Sequence, residues 1–87
     1  MNITRVAAAI NLRVRRLEAQ GVRGMALANH MLGHMAELDH IYRTASDPEL
    51  GELCRRFPSF ERYGRLMEDL SERNDAMIAA GTLDLPR

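Results

Sequence analysis

Residues 60–80 read FERYGRLMEDLSERNDAMIAA, and this stretch decides the fold. Phe60, Tyr63, Leu66, Met67, Leu70, Met77 and Ile78 recur at steps of three and four, within an arc of roughly 120° at about 100° per residue. That is the apolar stripe of a long amphipathic helix, predicted from about Phe60 to Ala80. Its other side is mixed charge, and Glu61 with Arg65, Arg65 with Asp69 and Asp69 with Arg73 are spaced to pair across one turn. Asn74 falls in the middle of the stripe, where a polar side chain can fix the register of a helical oligomer. Phe60, Tyr63, Met67, Leu70, Asn74 and Met77 are therefore the expected oligomer interface.

Working upstream, Phe57-Pro58-Ser59 is a stop and restart. Proline disfavours helical geometry at Phe57, and Ser59 is placed to cap the long helix. Before it, Ser46-Asp47-Pro48-Glu49 carries the clearest local signal in the chain, a serine cap with glutamate three residues on and proline in the first turn. A short helix from about Asp47 to Arg56 follows, with Leu50, Leu53, Cys54 and Phe57 on one side.

Further upstream, Leu27, Ala28, Met31, Leu32, Met35, Leu38, Ile41 and Tyr42 predict one continuous helix from about Met25 to Thr44, with a stripe wide enough to touch two neighbours. Gly33 is a weak point in its middle. The first helix starts at Ile3 and carries Ile3, Val6, Ala7, Ile10, Val14 and Leu17 inward. Leu12 is the one bulky apolar residue off that stripe. Gly21 and Gly24 end the helix and begin the next, Gly21 in the left-handed position past a C-terminus.

These elements predict an all-α compact bundle of four helices, three long and one short. The expected single domain covers residues 1–81, followed by a tail at 82–87. Ile10, Val14, Leu32, Met35, Leu38, Leu53, Leu66 and Leu70 are expected near its centre. An 87-residue chain buries only about 60–65% of its unfolded surface. Aromatic residues make up just 5% and six residues are Met, so the core is thin and adaptable. Small scaffolds of this kind gain stability from a second subunit, and a homodimer is expected.

All twelve Lys+Arg residues are arginine, balanced by twelve acidic residues for a formal net charge of +0. The balance is uneven along the chain, because Arg5, Arg13, Arg15, Arg16 and Arg23 face only Glu18 in the first 24 residues. The basic side of the first helix, Arg5, Arg13, Arg16 and Arg23, is the expected contact for an acidic partner surface. No apolar run approaches the roughly 18 residues that span a bilayer, and arginines interrupt the only signal-like segment. With one cysteine, a cytoplasmic location is expected.

The chemical inventory points away from catalysis. Cys54 has no sequence neighbour to activate it and lies on an apolar side. Phosphate loops, nucleophile elbows, metal-binding cysteine pairs and cofactor fingerprints are absent, so no cofactor is expected. His30, His34 and Glu37 share one strip at i, i+4 and i+7, a spacing that can hold zinc, although boundary histidines packing on a neighbour explain it as well. Glu37 and His40 give one copy of the Glu-x-x-His spacing of di-iron bundles, which need two.

The expected function is a stoichiometric, non-catalytic protein-binding module acting through an amphipathic helix face. Bacteria and phages use such chains as adaptors, antitoxins or small inhibitors. The alternative is a nucleic-acid-binding regulator using the helix-turn-helix-like residues 50–70 or the arginine side of the first helix. Against residues 50–70 stand Glu61, Glu68, Asp69 and Glu72, which phosphates would repel. A metal-binding helical dimer ranks third.

Overall fold

In a computed structural model, which describes the backbone of residues 2–79 and the side chains of residues 2–73, the chain is all-helical. Five α-helices follow in order among the described residues: α1 (Ile3–Ala19), α2 (Gly24–His30), α3 (Met35–Thr44), α4 (Asp47–Arg56) and α5 (Pro58–Ala79). A single 3-10 turn, Leu32–His34, separates α2 from α3.

The boundaries have local causes. Asn2 caps α1 by accepting a bond from the Arg5 amide at 3.1 Å. Gly21 at φ 83° closes the helix, with Val22 N–H donating to Leu17 O and Gly21 N–H to Glu18 O, both 3.0 Å. This paired closure satisfies two carbonyls that a helix end leaves open. The expected cap of α4 forms reciprocally, Ser46 Oγ accepting from Glu49 N–H at 3.3 Å and Glu49 Oε1 from Ser46 N–H at 3.0 Å.

The long helix expected from Met25 to Thr44 is broken. Met31 and His34 sit at φ near −100° with ψ 10° and 1°, outside the α basin. The Met31 carbonyl accepts from His34 N–H at 2.9 Å, an i,i+3 bond, and from the buried Tyr63 hydroxyl at 3.1 Å. The break therefore has a tertiary partner, which no pattern within residues 25–44 could reveal. Gly33, the residue with most conformational freedom to lose, lies inside it.

The core is Ala7, Ile10 and Val14 of α1, Leu27 of α2, Met31, Leu38 and Ile41, Leu53 of α4, and Phe60 and Tyr63 of α5. Ile10, Val14, Leu38 and Leu53 are thus central, as their spacing predicted. Leu32 and Met35 are not: they are 57% and 43% exposed, because the break hands the inward position to Met31. Leu66 and Leu70 are half-buried. Burying a side chain the size of Phe60 stabilises by about 1.5–3 kcal/mol, and Phe60 is wholly enclosed.

Polar contacts lock α1 to the start of α5. The helix resumes at Pro58, so Ser59 is not its cap. Its buried hydroxyl donates instead to Glu18 Oε1 at 3.1 Å. Asn11 Oδ1 accepts from the Phe60 amide at 3.0 Å, taking one of the amides left over at that helix end. Arg62 grips both Glu18 oxygens at 2.9 Å. Hydrogen bonding from Arg62, before any other cause, holds the Glu18 carboxyl below the ordinary glutamate range.

Candidate functional site

The start of α5, residues 59–63, is sealed by α1, and the next described turns, residues 67–71, are not. Between α3 and α5 lies an open groove of about 470 Å3, walled by Met35, Leu38 and Tyr42 on one side and Gly64, Met67 and Leu70 on the other. Its rim is polar: Asp39 on α3, Glu68 and Ser71 on α5.

Gly64 determines how the walls meet. It is buried and carries no side chain, so the Tyr42 ring lies directly against α5, its Cζ 3.1 Å from where a β-carbon would stand. Half-burial pushes the Tyr42 phenol up to about 12, with the nearby Cys54, Glu68 and Glu61 acting in the same direction. Tyr42 stays a neutral hydrogen-bonding group at physiological pH. Cys54 is half-buried against the core, and burial pushes its thiol up as well, away from the thiolate a nucleophile requires.

The expected interface residues fall in three places. Met67 and Leu70 are half-buried and line the groove. Phe60 and Tyr63 are 0% exposed inside the chain's own core, where a second molecule cannot touch them. The side chains of Asn74 and Met77 lie outside the described residues.

The helix break also separates the expected metal strip. His30 ends α2 and His34 ends the 3-10 turn, so the i,i+4 relation on one helix is gone. His34 Nδ1 and Glu37 Oε1 remain a pair at 2.8 Å, while the His30 carbonyl accepts from Arg13 at 3.3 Å. No trio of His, Cys, Asp or Glu able to hold a metal comes together among the described residues.

Arg5, Arg13, Arg16 and Arg23 are exposed along α1 and the segment after it, together with Arg15. The helix-turn-helix spacing of residues 50–70 tightens in the structure, with Phe57 alone between α4 and α5. Among the described residues no helix is long and apolar enough to cross a membrane.

The groove was missed in sequence because a shared stripe does not say which stretch of it is left uncovered. Gly64, interrupting the stripe between Tyr63 and Met67, was the available signal. Set against known proteins, the chain matches no family model, no curated protein and no solved structure.

Proposed function

We propose that the chain is a non-catalytic protein-binding module that takes the apolar face of a partner helix in the groove between α3 and α5. One observation carries this reading: Met35, Tyr42, Met67 and Leu70 form a partly exposed, largely apolar trough whose charged lining groups, Asp39 and Glu68, are exposed. An amphipathic helix laid in such a trough buries its i, i+3, i+4 and i+7 anchors. The methionines suit this task, since unbranched thioethers repack around differing shapes.

The nucleic-acid alternative is weaker at residues 50–70, where the exposed side of α5 bears Glu68, Asp69 and Glu72.

Selection from a displayed library of helical peptides tests the proposal. Enriched sequences should carry an apolar i, i+3, i+4, i+7 pattern and lose binding to Met67→Asp. No enrichment, or equal binding to both proteins, contradicts it.

A further inference from the structure

One face of α1 takes part in neither the core nor the groove. Ala7, Ile10 and Val14 point inward and are fully buried. On the opposite side Leu12 is 48% exposed, one turn from Ala8 on one side and from Arg15 and Arg16 on the other. Arg5 lies along the same face. These three arginines are exposed, and none is in an ion pair among the described residues. The result is a protruding leucine beside a small residue and framed by guanidinium groups.

The groove has the complementary character. Its walls are apolar, with Asp39 on the α3 edge and Glu68 on the α5 edge. Asp39 is engaged by Arg43 of its own helix in an exposed pair, the kind worth only about 0.2–1 kcal/mol and easily shared. Glu68 has no ion-pair partner among the described residues. Carboxylates on both edges match arginines on both flanks of Leu12: around the helix Arg15 lies about 60° to one side and Arg16 about 40° to the other. Since α1 turns its inner face to α5, its outer face points away from the groove of its own chain.

We propose that the Leu12 face of one copy seats in the α3–α5 groove of a second copy. The inference rests on the groove reading above and names its occupant as this same chain. Two different surfaces meet, so the contact is heterologous, and copies add head to tail until a ring closes or a filament grows.

Sedimentation velocity on the full chain across micromolar concentrations tests this. The average mass should climb with concentration and fall back when salt is raised. Leu12→Glu and Met67→Glu should each be monomeric, and their equimolar mixture should form a dimer that grows no further. Growth of the wild-type chain beyond a dimer separates this contact from an isologous pairing, which stops at two copies. Arg16→Glu should weaken association at least about tenfold, and Glu68→Arg in the same chain should restore much of it; both sites are exposed, so folding is not at stake. A wild-type chain that stays monomeric, or variants whose mixture stays monomeric, overturns the inference. If selected peptides still bind the groove in that case, only the choice of occupant is wrong; if they do not, the groove reading falls with it.

Discussion

Two successive stretches of α5, residues 59–63 and 67–71, carry one apolar repeat and meet opposite fates. In residues 59–63 Ser59, Phe60 and Tyr63 are enclosed, and α1 reaches across with Asn11 and Glu18 to satisfy the amide and hydroxyl groups there. In residues 67–71 Met67 and Leu70 remain partly buried, with α3 forming the far wall of a trough that is open among the described residues. Amphipathic spacing states that a helix has a side to hide. It does not state whether the chain itself supplies enough cover.

The contrast is broken most severely at Phe60. Phe60→Ala should cost about 3–5 kcal/mol in chemical denaturation, whereas Met67→Ala should cost less, about 1–2 kcal/mol, because that side chain is only partly buried. Equal losses at the two sites erase the distinction. Tyr63→Phe comes next. It removes the hydroxyl that meets the Met31 carbonyl and should cost about 1–2 kcal/mol, with faster amide exchange around residues 31–35 if the break depends on that bond.

A smaller effect is expected at the lock between α1 and α5. Because Arg62 depresses the Glu18 pKa, the native chain holds this proton less readily than the unfolded one. The pair therefore stabilises fully above the ordinary glutamate value of 4.5, and that stabilisation is lost as pH falls through the lower native value. Arg62 is 55% exposed, so solvent screening limits the contribution to about 0.5–1 kcal/mol. Glu18→Gln should flatten the corresponding part of the stability curve below that value, and an unchanged acid limb contradicts the assignment.

Gly64→Ala should move stability least. The added methyl meets the end of the Tyr42 side chain and displaces the ring, while alanine gains about 1 kcal/mol of helix propensity. Denaturation should change by no more than about 1 kcal/mol, yet peptide binding in the groove should weaken, since its wall has moved. Unaltered binding would show that the close approach of Tyr42 does not shape the groove.

Much of the fold was legible because it is written locally. The Ser46–Glu49 cap, the Gly21 closure, the Phe57-Pro58 interruption and the stripes of α1 and α5 all depend on residues a few positions apart. What escaped depends on contacts across the chain. The break at Met31 answers to Tyr63, 32 residues away. Asn11 satisfies an amide 49 residues on. The groove was half legible: Met67 and Leu70 were singled out, but Phe60 and Tyr63 were grouped with them, because periodicity gives the direction of a side chain and not the extent of its neighbour.

The methionine methyl groups separate these fates in one spectrum. Met31 is enclosed and fully buried, while Met35 and Met67 line the trough. Methyl NMR of the full chain, recorded while a selected groove peptide is titrated in, should move the Met35 and Met67 signals and leave Met31 in place. Movement of Met31, or stationary Met35 and Met67 signals at saturation, would contradict the account.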